Sequence, residues 1–108
     1  MQYKIERQEE ALLVILKDLA VDLSFISSEL DDECRHLILD LSEFSEVSHE
    51  KLKNFFNFGK EVVAKNSFII ICQMDFSEDF PIVPTLHEAF DVIELEEIER
   101  QLDIEHSN

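Results

Sequence analysis

The sequence predicts one domain of the α/β (α+β) class, in which helices pack on a mixed β-sheet. Three apolar runs indicate buried strands, at residues 12–16, 37–41 and 68–72. Between the second and third runs, apolar residues recur at helical spacing over residues 48–65. This succession predicts a βαβ unit with parallel strands and a right-handed crossover. The 108 residues leave little room for a second domain.

The segment before residue 31 predicts a further strand and a short helix. Residues 2–6 alternate polar and apolar, which indicates a half-exposed strand. Because only a short polar break follows, this strand is expected to pair antiparallel with the run at 12–16. Apolar residues then recur at helical spacing over residues 23–30, and Asp22 is the expected N-cap of a short helix there.

The helix over residues 48–65 is the clearest amphipathic segment. Ser48 is its expected N-cap, and Glu50 in the first turn interacts favourably with the helix dipole. Gly59 lies on the apolar stripe, which is tolerable if the helix backbone lies close against the sheet. Phe56 lies on the same stripe, so Phe56→Ala is expected to cost about 3–5 kcal/mol as a core substitution.

The last third of the chain predicts a short edge strand, delimited by prolines at 80–83, and a helix whose apolar stripe changes face. Thr85 and Glu88 form a capping-box motif at the start of the helix. The first stripe ends at Ile93, so a kink or a second short helix is expected near Glu94, and residues 103–108 are expected to fray. Past the kink, a second stripe comprises Leu95, Ile98 and Leu102. This second stripe either docks a partner or a second copy of the chain, or packs back on the sheet.

The chain is strongly acidic, with 25 acidic residues, 9 basic residues and a net charge of −16. After residue 74 there are 11 acidic residues and Arg100 is the only lysine or arginine. The negative electrostatic field of these residues argues against direct nucleic-acid binding. It predicts a protein partner with a basic surface, or self-association. No apolar run approaches the ~20 residues of a membrane helix. No apolar signal core follows the N-terminus, so a cytoplasmic location without membrane contact is expected.

No residue pattern predicts a catalytic, cofactor or metal site. The histidines lack zinc-ligand spacing, and all four are expected to be exposed: His36, His49, His87 and His106. Residues 31–33 and 75–79 could contact Mg²⁺ or Ca²⁺, but solvated loop acids are the simpler interpretation. Asp40, near the end of an apolar strand, is expected to accept hydrogen bonds from loop amides. Cys34 and Cys72 are expected to be buried free thiols.

The order of the predicted elements resembles the STAS fold, the domain of sulfate transporters and anti-sigma-factor antagonists. The resemblance is strongest over residues 37–89. Its landmarks are Leu39-Asp40-Leu41-Ser42, the helix from Ser48, the strand at 68–72 and Pro84-Thr85-Leu86-His87-Glu88-Ala89. Typical members have another helix where this chain has only residues 73–79, so the chain resembles a reduced STAS domain. The resemblance implies a non-catalytic protein-interaction or regulatory domain.

The STAS turn that can carry a regulatory phosphoserine is not matched here. It opens the helix after the strand at 37–41, and its phospho-acceptor position falls on Glu50 and its glycine on Lys51. The resemblance therefore implies a domain without the usual phosphoserine, in which Glu50 is a fixed negative charge. The start of this helix is the family's contact surface. The candidate partner-binding residues are thus Ser48, His49, Glu50, Leu95, Ile98 and Leu102.

A narrower resemblance involves Val83-Pro84-Thr85-Leu86-His87-Glu88-Ala89 and residues 94–102. These segments are similar to stand-alone bacterial proteins of about this length that are often labelled ribonuclease Z. That enzyme needs a His-x-His-x-Asp-His cluster for two zinc ions, which this chain lacks. Two alternatives to a STAS-like interaction domain follow. One is an accessory protein of an RNA-processing enzyme, whose acidic face competes with RNA for a basic surface. The other is a small metal-dependent enzyme that uses the acidic clusters.

Overall fold

A computed structural model describes residues 2–73 and 82–106 of the chain, with side chains up to residue 102. Within these residues, five strands form one sheet in the order β1-β2-β3-β4-β5. The strands are β1 (Tyr3–Gln8), β2 (Glu10–Leu16), β3 (Cys34–Asp40), β4 (Phe68–Ile71) and β5 (Ile82–Val83). The helices are α1 (Ile26–Glu29), α2 (His49–Val63) and α3 (Leu86–His106). The predicted class, helices packed on a mixed sheet, is confirmed.

Strand directions follow from the connections. β1 and β2 pair antiparallel across a tight turn, in which Glu10 has a left-handed φ of 61°. The remaining pairs, β2–β3, β3–β4 and β4–β5, are parallel. The predicted parallel pairing on either side of α2 is therefore confirmed. The four parallel strands begin at one edge of the sheet, called here the amino edge, and end at the opposite carboxyl edge. β5 is an edge strand of the sheet, as predicted. Residues 80 and 81 of the predicted strand lie outside the described residues.

The starts of α1 and α2 depend on short polar side chains. Ser48 caps α2 as predicted, because its Oγ accepts the Lys51 N–H at 3.1 Å. Asp22 does not cap α1, which corrects the prediction for that helix. Its Oδ1 accepts the Ser24 N–H at 2.9 Å and closes a turn ahead of the helix. α1 then begins after Phe25 without a side-chain cap and ends before the extended Leu30, so it is a single turn.

Both faces of the sheet are covered by helices. Successive side chains of β3 point to opposite faces, so Leu37 and Leu39 pack with α1 and α2 whereas Ile38 packs with α3. Because β2, β3 and β4 are buried on both faces, their sequences are nearly continuous apolar runs. Among the described residues, no helix combines the length and apolarity that a bilayer crossing requires.

Phe55 rather than Phe56 is the buried aromatic residue of α2. Phe55 is almost fully buried, whereas Phe56 is only partly buried, with its ring centroid 6.4 Å from that of Phe68. The sequence stripe includes both phenylalanines, and only the rotation of α2 about its axis decides which one faces the core. The cost of about 3–5 kcal/mol expected for Phe56→Ala therefore applies to Phe55.

We expect Phe55→Ala to lower the free energy of unfolding by about 3–5 kcal/mol, and Phe56→Ala by roughly half as much. The difference arises because truncation of Phe56 creates a smaller cavity than truncation of Phe55, and because part of the Phe56 ring is already exposed to water. Urea denaturation of both variants, followed by circular dichroism, measures it. Equal losses would contradict the described orientation of α2.

Gly59→Ala is expected to destabilise the protein, although alanine favours helix formation by about 1 kcal/mol over glycine. A Cβ atom at position 59 would overlap the Phe68 ring, because α2 passes directly over β4 there. Asn57→Ala at an exposed site of the same helix is the control, and it should be neutral or slightly stabilising. Phe68→Leu should partly restore the Gly59→Ala variant in thermal denaturation. A stabilising Gly59→Ala would disprove the close approach.

Candidate functional site

α3 is one helix over Leu86–His106, without a break at Glu94. This corrects the prediction of a kink near Glu94. It also corrects the prediction of fraying for residues 103–106, which are helical. The predicted capping motif is present at its start. Thr85 Oγ1 accepts the Glu88 N–H at 3.2 Å and donates to the Glu88 carboxylate at 3.0 Å. The helix thus continues straight through the point where its apolar stripe changes face.

The side of α3 that faces the sheet changes from apolar to charged along the helix. Ala89 and Ile93 are buried against the sheet. At about 100° per residue, Glu97 and Arg100 lie within about 40° of Ile93 around the helix axis. Their side chains therefore point to the sheet from the second half of the helix. A charged inward side on a buried surface requires specific partners there.

Leu95, Ile98 and Leu102 lie on the opposite side of α3, about 140–200° around the axis from Ile93. They are 61%, 47% and 47% exposed, and they are the exposed large hydrophobic residues of the described chain. They do not pack back on the sheet. Their spacing of three and then four residues places them in one row, called here the apolar strip. Contiguous exposed apolar side chains with polar surroundings are typical of protein-binding surfaces.

Polar contacts fix the inward side of the second half of α3 to the amino edge of the sheet. Glu97 Oε1 accepts from Arg35 Nη2 at 2.5 Å and lies 2.6 Å from His36 Nε2. One turn further, Arg100 Nη2 donates to Ser67 Oγ at 3.1 Å. Arg35 and His36 belong to the start of β3, and Ser67 immediately precedes β4. The helix is therefore held at two consecutive turns.

His36 is fully buried, which corrects the expectation that it is exposed. Its Nδ1 accepts the backbone N–H of Ser67 at 3.0 Å. Because a backbone N–H can only donate, Nδ1 carries a lone pair and the proton of the neutral ring lies on Nε2. That proton is donated to Glu97. Both ring nitrogens are thus paired, which is the condition for burying a histidine without a large desolvation cost.

Glu10, His36 and Glu97 form the group of described residues best placed to hold a metal ion, with ligand atoms within 4.8 Å of one another. Two features oppose that role. The Arg35 guanidinium lies 3.5 Å from Glu10 and 2.5 Å from Glu97, so both carboxylates already pair with a cation that would repel a metal ion. A metal-binding histidine ordinarily donates through its second ring nitrogen, whereas His36 Nδ1 accepts from Ser67. A metal on Nε2 would remove the last proton of the ring, so the donors fit a buried hydrogen-bonded network instead.

Burial and hydrogen bonding act in opposite directions on the pKa of Glu97. Partial burial raises this pKa, but the hydrogen bonds from His36 and Arg35 and the nearby positive charge lower it by more. The net result is a pKa below the usual 4.5. The hydrogen bond to Glu97 also raises the pKa of Arg35. Glu97 is therefore a carboxylate at neutral pH that is stabilised by both partners.

An acidic cleft of about 260 Å³ lies between α3 and the β1–β2 turn. It is lined by two apolar side chains and four carboxylates: Phe90, Ile93, Glu9, Glu10, Glu94 and Glu97. A shallow depression of about 370 Å³ on the outer side of α3 is lined by Asp91, Glu94, Leu95 and Ile98. Glu94 borders both, so the acidic cleft and the apolar strip form one continuous surface.

The other candidate partner-binding residues, Ser48, His49 and Glu50, are exposed at the start of α2. This start follows the carboxyl end of β3, on the sheet face opposite α3. The apolar strip lies instead where α3 reaches the amino edge. The structure therefore does not bring the two predicted groups of partner-binding residues into one surface.

The remaining candidate histidines and acids have local roles or are exposed. His49 and His87 are exposed as expected, whereas the His106 side chain and residues 75–79 lie outside the described residues. Asp31 accepts two backbone N–H groups and pairs with an arginine, which lowers its pKa. Asp40 accepts a loop N–H at 2.8 Å, as expected. The two cysteines are buried and free, as expected.

Sequence reasoning does not identify Glu97, Arg100, Arg35 or His36 as a connected group. A signal for the first two is present in hindsight, since they continue the inward row of α3 four and seven residues after Ile93. Charged residues at positions that continue a buried row predict buried ion pairs. The partners on β3 carry no comparable signal, because they lie more than 60 residues away.

Glu97→Gln is expected to destabilise the protein at neutral pH and to have little effect in acid. Because the pKa of Glu97 is lowered on folding, its carboxylate contributes stability above its unfolded pKa near 4.5. That contribution is lost as the pH falls through the lower folded-state pKa. Urea denaturation at about pH 7 and about pH 3 measures the difference between wild type and variant at both values.

Glu99→Gln on the exposed side of α3 is the matched control, and it should differ from wild type by a similar small amount at both pH values. A Glu97→Gln loss that is the same at both pH values would show that the carboxylate charge does not act through His36 and Arg35.

Comparison with known proteins adds no relative to this description. No protein-family model, no curated protein and no solved structure matches the chain.

Proposed function

We propose that this chain is a non-catalytic, STAS-like interaction domain that binds a protein partner with a basic surface through the apolar strip of α3. One observation carries the proposal: Leu95, Ile98 and Leu102 are exposed although the opposite side of the same helix contacts the sheet from Ala89 to Arg100. The same helix turns its charged residues inward, at the cost of burying Glu97. An apolar row that is held outward by buried polar contacts is suited to binding a partner.

The partner is proposed to be basic because the strip lies in a strongly negative field. Asp91, Glu94 and Glu99 are exposed beside the strip, and Arg100 is turned towards Ser67 on the sheet. A second copy would bring two such acidic surfaces together, with a net charge of −16 on each chain. A basic surface is instead attracted, and the attraction raises the association rate.

The size of the strip predicts a transient complex. Full burial of a large aliphatic side chain contributes about 1.5–3 kcal/mol, and these side chains are already partly buried. Association itself costs about 4–15 kcal/mol in lost freedom of motion. The strip therefore needs the surrounding acids to reach a useful affinity, and that affinity should fall with added salt because exposed charges are screened beyond about 8 Å.

A binding role is favoured over catalysis by the polar groups of the described residues. Both ring nitrogens of the buried His36 are hydrogen-bonded within the protein, one to Glu97 and the other to the Ser67 N–H. A cavity of about 290 Å³ between the end of α2 and α3 contains Lys60 and Glu96 but no serine, threonine or cysteine nucleophile in its lining. These observations support an interaction domain, and we propose the cytoplasm as its location from the sequence expectation alone.

The order of strands and helices in the structure agrees with the order on which the STAS resemblance rests. It supports a regulatory or scaffolding role of the STAS type without the usual phosphoserine, since Glu50 occupies that position and the Ser48 hydroxyl accepts the Lys51 N–H. The alternative of an accessory protein for an RNA-processing enzyme is a special case of the same proposal. An enzyme that binds RNA presents the basic surface that the strip requires.

The proposal is tested by affinity capture with the full chain and a strip variant, Leu95→Gln/Ile98→Gln/Leu102→Gln. Glutamine preserves helix propensity, so the variant should fold like wild type in circular dichroism. We expect wild type to retain a basic protein that the strip variant loses, and salt to release it. Quantitative mass spectrometry of the retained proteins at two salt concentrations is the measurement.

The matched control replaces three exposed residues of α2 with glutamine, Lys53, Asn57 and Glu61, which leaves the net charge unchanged. It should retain the same protein as wild type. Equal capture by wild type and the strip variant would contradict the proposal. Sedimentation that shows dimers of wild type but monomers of the strip variant would replace the basic partner with a second copy.

A further inference from the structure

We infer that the partner binds with an amphipathic helix that has basic flanks, and that a lysine or arginine of this helix enters the acidic cleft beside α3. The inference rests on the proposed function, because it specifies the partner of the same apolar strip. Its basis is the shape of the strip, the charge at its flanks and the lining of the cleft.

The shape of the strip matches one side of a helix. Leu95, Ile98 and Leu102 are spaced by three and four residues, which is the spacing of the two core positions of a coiled coil. At a rise of about 1.5 Å per residue, the row is about 10 Å long and spans only about 60° of the helix surface. A surface this narrow contacts another helix efficiently, whereas a flat partner would leave much of it in water.

The flanks of the strip specify the charge of that helix. In the coiled-coil register set by Leu95, Glu94 and Glu99 occupy the flanking positions that form ion pairs with the opposing helix. Both are exposed. The partner helix therefore needs lysine or arginine at its own flanking positions. A second α3 in either direction would present glutamates there and oppose pairing.

The acidic cleft supplies a place for one of these basic side chains. Glu10 and Glu97 already pair with Arg35, whereas Glu9 and Glu94 form no ion pair with any described residue. Phe90 and Ile93 form the apolar part of the lining. A lysine or arginine combines an apolar stem with a charged end, so the stem would contact the apolar part and the charge would lie between Glu9 and Glu94.

The cleft is within reach of a helix bound on the strip. Glu94 lines both the cleft and the depression that contains Leu95 and Ile98. A long basic side chain at a flanking position of the bound helix would pass over Glu94 to enter the cleft. The apolar strip thus provides contact area, and the cleft selects a basic residue at one position.

The test measures binding of three synthetic peptides to the full chain by calorimetry. All three peptides contain three heptads. The first has leucine and isoleucine at the core positions and lysine at the flanking positions. The second keeps this core but has glutamate at the flanking positions. The third keeps the flanking lysines but has alanine at the core positions. We expect the first to bind, with affinity falling about tenfold or more between about 0.05 M and about 0.5 M salt. The other two should bind at least about tenfold more weakly.

Two charge-matched variants locate the basic anchor. Glu9→Gln/Glu94→Gln removes the unpaired carboxylates of the cleft, and Glu46→Gln/Glu61→Gln removes two exposed carboxylates elsewhere. We expect the first variant to weaken the lysine peptide about three- to tenfold and the second to change it by less than about twofold. Equal effects of the two variants would overturn the role of the cleft.

The strip variant described above separates this inference from the proposed function. Binding of the lysine peptide that survives Leu95→Gln/Ile98→Gln/Leu102→Gln would overturn the helical docking mode. If none of the peptides binds while capture of a protein still depends on the strip, the proposed function holds and the inference fails. If neither the peptides nor any protein depends on the strip, both fail.

Discussion

The contact of Glu97 with His36 and Arg35 determines where the second half of α3 lies. Turning α3 to bury its exposed leucines and isoleucine would remove Glu97 from His36 and leave a fully buried ring N–H without an acceptor. A buried unsatisfied polar group costs about 1–3 kcal/mol, and more when a charge is involved. Because α3 is one continuous helix, the same turn would also carry Ala89 and Ile93 off the sheet and expose their apolar surface to water. The polar contacts and the burial of Ala89 and Ile93 together keep the apolar strip outside.

The two halves of α3 consequently have different tasks. The half before Glu94 covers the second face of a sheet that is apolar on both sides, and without it Ile38 and Ile69 would be exposed. The half after Glu94 contributes little apolar burial to the fold, since its inward side chains are Glu97 and Arg100. It continues the helix at the amino edge, where Arg100 contacts Ser67, and so gives the strip a helical support. A binding surface on such a support needs no ordering of a loop when the partner arrives, which lowers the cost of association.

Local patterns predict most of the fold, because strands and helices here follow their own sequence periods. Ser48 caps α2, as its residue type and position predict. Gly59 on the apolar stripe indicates a close approach of α2 to the sheet, and the structure identifies Phe68 as the residue approached. The helical spacing of apolar residues fails as a guide to burial where two neighbouring residues both lie on the stripe. It therefore does not tell which of Phe55 and Phe56 is buried. It also fails at Asp22, whose side chain bonds to the nearest free N–H instead of the helix. In each failure, a contact of a few ångströms outweighs an average preference.

The sequence by itself determined the parallel strands, the acidic C-terminal third and the change of face that Leu95 begins. Only the tertiary structure decided that the change of face leaves the helix straight and the strip exposed. That outcome depends on a carboxylate and an imidazole separated by 61 residues in the chain. Hydrogen bonds of buried groups are short-ranged and directional, so their partners follow from the assembled sheet and not from local periodicity. His36 shows this most directly, because its burial is possible only once Ser67 and Glu97 are both in place.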